Sequence, residues 1–581
     1  MSSIEKYMLR LNDETGTILP FRLLVMGEFS LACSQEDYEQ ARPISVDKNN
    51  FSSVLSAQQV SCRVQLYNNP FALALAKIVG VADFSWPIRL LDDFNPERIA
   101  QIEPCISYAE RLLFSLIECK RIALPGELIT LDQFSAAELT LLAVEESPLN
   151  RDQLDFVITD LRFNINQMLN QLIHDKSLQA VESAWRGLYW LVKTADGHPL
   201  CKIDMLPVHK DILREDISAR ADLVETHFFE MLYINEYGQY GGEPYGAVVF
   251  DFGFEHSKED IDFLQQLAQI GRFAHAPIFA AANPSFFGLE RFEDIPNIDS
   301  LEELQQGARF KYWKKFQESQ EAAYVLLTLP KVLLRSSYSF ANRNVSSMLY
   351  NEDISRLESN CLWGSAAFAF AVNCLESFKK YGTCSELVGP EEGAVNGLDP
   401  VRIFEDETIA PVQVLLSERK EAELVRLGFA PLSVIKSQSK LVFYSANSLR
   451  WGYCCAQPSS FQDQHLDQVL SAQFPYAFII LRIAQYLKVI TRDFVGSTHN
   501  VSELETLLDN WLRAYVSDVE NPPADVRARR PLKKVVLTMS PSTEQPGWYH
   551  TEIHITPHTK YLGRYFDLSL DFDVPIKQGA S

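Results

Sequence analysis

The segment Leu178–Val192, LQAVESAWRGLYWLV, constrains the fold of this chain most tightly. Its apolar residues Leu178, Val181, Trp185, Leu188 and Val192 recur every three or four positions, so one helical face carries them all. Glycine in a helix interior costs about 1 kcal/mol relative to alanine. Gly187, next to Arg186, therefore predicts a close backbone approach by another element.

Size and charge set the outer limits. A chain of 581 residues is too long for one core, and two to four domains are expected. With 47% hydrophobic and 22% charged residues, the composition is that of a soluble globular protein. A net charge of −23 argues against a nucleic-acid binder that relies on bulk attraction to phosphates. The ten cysteines include no C-x-x-C pair, and Cys454 and Cys455 are adjacent, which reads as scattered thiols in a reducing compartment. The start, MSSIEKYMLRLNDETG, lacks the apolar core of a signal peptide. Phe474 to Ile490 contains Pro475, Arg482 and Lys488, so it is expected to be a buried helix and not a membrane span. A cytoplasmic location is the expectation.

Taken in order, FRLLVMGEFS at 21–30 predicts a buried strand turning at Gly27, and Ile44 and Val46 alternate. Trp86 to Pro96 predicts a further strand running into a helix start capped by Asn95. Leu154, Ile158, Leu161, Ile165, Met168 and Leu172 predict a long amphipathic helix, broken near His174 and Asp175 before the helix at 178. EYGQYGGEPYG at 236–246 is glycine-rich, but its spacing fits neither phosphate-binding fingerprint. GAVVFDFGF, a helix from Lys258 to Ala274 and the segment after His275 form a β–α–β unit, with His275 a satisfied turn residue. Glu418, Arg419 and Glu421 fit a solvated helix start.

The tail alternates in Tyr549–Thr556 and again in Tyr565–Val574. In the second stretch Phe566, Leu568, Leu570, Phe572 and Val574 share one face, and Asp567, Ser569, Asp571 and Asp573 the other. The pair predicts a terminal hairpin suited to strand exchange with a neighbouring chain, with aspartates that discourage uncontrolled edge pairing. His554 and His558 take core or loop roles in that context. The dense basic run VRARRPLKK at 526–534 contains Arg527, Arg529, Arg530, Lys533 and Lys534. It is either an electrostatic interface to acidic surface on a neighbour or a solvated face.

The pattern E-x-x-W-R-G-L at Glu182, Trp185, Arg186, Gly187 and Leu188 resembles the large sheath subunit of bacterial type VI secretion systems, the TssC or VipB family. The glycine-rich segment with Gly241 and Gly242 is similar to a structural stretch of that family. So are LWGSAAFAFA with Trp363 and Gly364, Pro411–Phe429 with Arg419, and the tail segments PGWY and PHTKYLG. Gly27–Ser30, Ile44–Phe51 and Leu91–Pro96 in the front part resemble the small sheath subunit, the TssB or VipA family. Lys314, Gln317, Ala323 and Lys331 stand where the large-subunit family has arginine. A lysine does not reproduce an arginine fork, so ion pairs there should be rearranged.

The resemblance implies an α/β (α+β) multi-domain sheath-subunit fold, with mixed β-sheets flanked by helices and a C-terminal β-hairpin. It divides the chain into a small-subunit-like part at 1–120, a helical connector at 121–177, a large-subunit-like core at 178–470 and a C-terminal domain with inter-subunit strands at 471–581. It implies a mechanical role without catalytic, cofactor or metal residues: copies stack helically around an inner Hcp-type tube and contract to propel it. The implied partners are other copies, the tube protein, a baseplate and an AAA+ unfoldase for recycling, though no motif places the unfoldase contact. The fused front either stands in for the separate small subunit or leaves room for one. The alternative is a specialised baseplate-adjacent or terminating subunit present in few copies. Neither nucleic acid nor membrane insertion is implied.

Overall fold

The computed structural model describes residues 19–30, 34–66, 68–81, 83–124, 127–145, 148–339, 349–398, 401–404, 407–409, 411–435, 440–456, 469, 471–494, 501–541, 548–558 and 568–575. A seven-stranded sheet occupies the centre. Its strands are β1 (Phe21–Gly27), β2 (Ile44–Ser45), β3 (Cys201–Pro207), β4 (Ala247–Phe254), β5 (Ile278–Ala282), β6 (Val325–Leu329) and β7 (Ala430–Pro431), in the order β7-β6-β5-β4-β1-β3-β2. Every neighbouring pair is parallel except β2 with β3. The front of the chain thus supplies an interior strand. Phe21 of β1 lies opposite Cys201 of β3, and Leu23 lies opposite Ala247 of β4.

A parallel strand covered on both faces reads as a continuous apolar run, and FRLLVMG does. Phe21, Leu23 and Val25 enter the core on one face, and Leu24 and Met26 enter the core on the other. The helices that cover these faces are α1 (Pro104–Ile122), α2 (Arg151–Ile173), α3 (Lys176–Ala195), α4 (Lys258–Ala274), α5 (Ala366–Tyr381), α6 (Phe474–Phe494) and α7 (Val501–Arg513). Residues of α1, α2, α3 and α5 build the first core, and residues of α4 and α7 the second. The helix α6 serves both, with Phe474 and Phe478 in the first and Ile483 and Leu487 in the second. By length and composition α6 could cross a membrane, but 72% of its apolar window is buried inside the protein.

The break between α2 and α3 falls where the sequence predicts it. The helix α2 ends at Ile173, and the Asp175 carboxylate then accepts hydrogen bonds from the Ser177 and Leu178 N–H groups to start α3. The five apolar residues of the expected face on α3 are each at most 2% exposed. Gly187 answers a close approach, but by a side chain and not a backbone. A Cβ at 187 would stand 2.5 Å from the ring of Phe368 on α5.

Two expectations change in the structure. The segment 86–96 is not one strand: Phe84–Pro87 pairs antiparallel with Ser61–Val64, and Leu91–Phe94 is a 3-10 turn. Asn95 does cap the helix Pro96–Ile102. The terminal hairpin is a three-stranded antiparallel sheet of β8 (Leu532–Pro541), β9 (Trp548–Pro557) and β10 (Leu568–Pro575), in that order. The added strand β8 begins inside the basic run. Its residues alternate in exposure from 533 to 540, a period of two that the charges of Lys533 and Lys534 obscure in the sequence. Leu568, Leu570, Phe572 and Val574 lie in β10, whereas Phe566 lies outside the described residues.

Gly187→Ala tests the packing at α3. Alanine normally stabilises a helix interior by about 1 kcal/mol. Here the overlap with Phe368 reverses the sign, and a loss of about 1–3 kcal/mol is expected, read as a lower urea midpoint.

Candidate assembly surfaces and a buried ion-pair frame

A buried charged frame joins α3 to the segment after β6. Arg335 donates from Nη1 and Nη2 to the two carboxylate oxygens of Glu352 at 2.8 and 2.9 Å, and from Nε to Glu182 at 3.1 Å. Arg186 donates to the same Glu182 oxygen at 2.6 Å and to the Tyr338 hydroxyl at 3.1 Å. His174 lies 3.3 Å from Glu352, and the Tyr338 N–H donates to Glu352 at 2.7 Å. The side chains of Glu182 and Glu352 are 1% and 0% exposed. Burial alone would raise the Glu352 carboxyl. The Arg335 charge and the hydrogen bonds from His174, Arg335 and the Tyr338 N–H outweigh it and hold the group at about 2. Two residues of the E-x-x-W-R-G-L pattern, Glu182 and Arg186, are therefore in this frame. A third, Trp185, donates from its indole to the Phe29 carbonyl at 2.9 Å and ties α3 to the front segment.

A second knot was not legible in the sequence. Arg22 on β1 pairs with Asp204 on β3 at 2.5 Å and with Glu236 at 2.8 Å, and its guanidinium lies 4.2 Å from the Tyr245 ring centroid. Tyr245 donates to Asp204 at 3.0 Å. The glycine-rich stretch is the clasp around this arginine. Gly241 takes φ +82°, and Gly242 packs so close to the Glu236 carbonyl that a Cβ would stand 2.2 Å from it. Arg492 of α6 donates to the carbonyls of Glu236 and Gly242 at 2.9 and 3.2 Å, which locks the clasp from the other side. The sole sequence signal was an arginine inside an apolar strand.

The remaining motif residues serve packing. Trp363 and Gly364 form a two-residue strand against Val332 and Leu333, and a Cβ on Gly364 would stand 2.3 Å from Leu334. Arg419 sits in the first turn of the helix Glu418–Arg426, pairs with Glu423 at 3.0 Å and reaches the Asp299 carbonyl at 3.3 Å. Gln317, where arginine is usual, donates to the carbonyls of Leu427 and Leu449 at 2.8 and 3.1 Å, an uncharged replacement. His275 ends α4 at φ +50°, but its Nδ1 is buried without a hydrogen-bond partner, so it is a turn residue with an unsatisfied ring. His558 is paired through Nε2 with the Ser517 carbonyl at 3.1 Å. Among the described residues no group of three or more His, Cys, Asp and Glu side chains is placed to hold a metal ion.

Two predicted assembly surfaces have definite places. The strand β10 is an edge of the terminal sheet, with β9 on its other side. The basic run splits into the short helix Ala524–Arg529 and the start of β8. Arg527 lies 3.8 Å from Glu386 of the same chain, and Arg530 is exposed.

Comparison with known proteins gives the class of this chain, a structural subunit of a tail sheath. Residues 155–450 match the EvpB/VipB tail sheath N-terminal domain, and residues 463–574 match the EvpB/VipB tail sheath gpW/gp25-like domain. Residues 6–109 match the VipA family of the type VI secretion system. The type VI secretion system sheath protein TssC1 of Pseudomonas aeruginosa is 31% identical over 439 residues, which covers 74% of this chain and 87% of that protein. The chain belongs to the VipB/TssC family of type VI secretion sheath proteins and carries a VipA-like segment at its front. It is a structural sheath subunit, from a family of sheath proteins and not of enzymes.

Arg335→Ala leaves two buried carboxylates short of a partner, and a loss of about 3–5 kcal/mol in a urea melt is expected. Arg335→Lys keeps the charge, loses the fork and should fall between. The frame also sets acid sensitivity. Glu352, held at about 2 against an ordinary 4.5, contributes stability that is complete above pH 4.5 and is lost as the pH falls toward 2. His275 is held by burial at about 3 against an ordinary 6.5, so the folded form binds fewer protons between those limits. Stability should decline as the pH falls through 6.5, by up to about 1.4 kcal/mol per pH unit. His275→Gln should flatten that slope between pH 6.5 and 4.5 in urea midpoints and leave the Glu352 loss below it.

Proposed function

We propose that copies of this chain assemble helically around an inner tube of Hcp type, in the bacterial cytoplasm, and that the sheath contracts to propel the tube. In this reading the front segment stands in for the separate small subunit. The observation that carries it is the place of β1. The VipA-like segment contributes an interior strand to a sheet whose other long strands come from the VipB-like part, and Trp185 binds the backbone at Phe29. We take the division at 1–120, 121–177, 178–470 and 471–581 as one of sequence origin, overlaid on this shared sheet.

A heterologous contact that does not close into a ring builds a helical filament. The edge strand β10, through Leu568, Leu570, Phe572 and Val574 and continuing toward Phe566, links each copy to a neighbour by strand pairing. A lattice with two packings of similar energy then releases work cooperatively. Arg527, Arg529, Arg530, Lys533 and Lys534 face the tube or an adjacent copy. The baseplate fixes one end, and an AAA+ unfoldase recycles the contracted form.

Electron microscopy of the chain alone, and with a small-subunit protein encoded beside it, decides the central point. Tubules from the chain alone are expected. Tubules only with the partner would make the front an addition to a two-chain sheath, and a discrete oligomer in both cases would point to a specialised subunit present in few copies. Glutamine at all five basic positions should weaken tube co-sedimentation and its salt dependence; unchanged binding would remove that surface from the proposal.

A further inference from the structure

We draw no further inference here: the strongest candidate, the exposed apolar surface of the helices α1 and α2, where Phe114, Ile122, Phe156 and Phe163 are between 57% and 77% exposed, carries none because nothing in the structure shows what covers it.

Discussion

The fork of Arg335 on Glu352, with its third hydrogen bond to Glu182, is the interaction on which the rest of this structure depends. Both carboxylates are out of water, so each needs its partner in a fixed geometry. That requirement sets the rotation of α3, because Glu182 and Arg186 must face the frame while Trp185 faces the front segment and Gly187 faces Phe368. Three consecutive residues, Trp185, Arg186 and Gly187, are then committed to three different neighbours. A buried charge pair adds little net stability over an apolar core. Its contribution here is register: helix, sheet and front segment meet in one relative position.

The second consequence concerns the junction of front and core. A chain of two sequence origins could carry a weak seam between its parts. Placing β1 between β3 and β4 removes such a seam, because parting the front from the core would break two hydrogen-bonded strand pairs at once. The Arg22 knot reinforces the same junction, since one guanidinium holds β1 to β3 and to the glycine clasp, and α6 closes over it.

Much of this was legible in the residues. Period-3.6 runs gave α2, α3 and α4 with their ends, because capping residues such as Asp175 act on their own backbone within three positions. The motif spellings led to the sheath family on both halves of the chain. The strand β8 was hidden because Lys533 and Lys534 follow its first residue, and charge masks a half-buried alternation. The reason for Gly187 was misjudged, since spacing shows that something comes close but not whether it is backbone or a phenylalanine ring.

By itself the sequence determined what is local or what is spelled: which stretches are helical, where they start, which faces are apolar and which family the motifs belong to. These follow from hydrogen bonds and side-chain periodicity within a few residues of each other. Only the tertiary structure decided which arginine meets which glutamate, that β1 lies inside the large sheet, and that the glycine-rich loop serves Arg22. Many of the contacts that decide this join residues far apart in the chain, 153 positions for Arg335 with Glu182, 156 for Trp185 with Phe29 and 463 for Arg482 with Leu19. Their energies depend on burial and on angstrom-scale geometry, which exist only once the chain has packed.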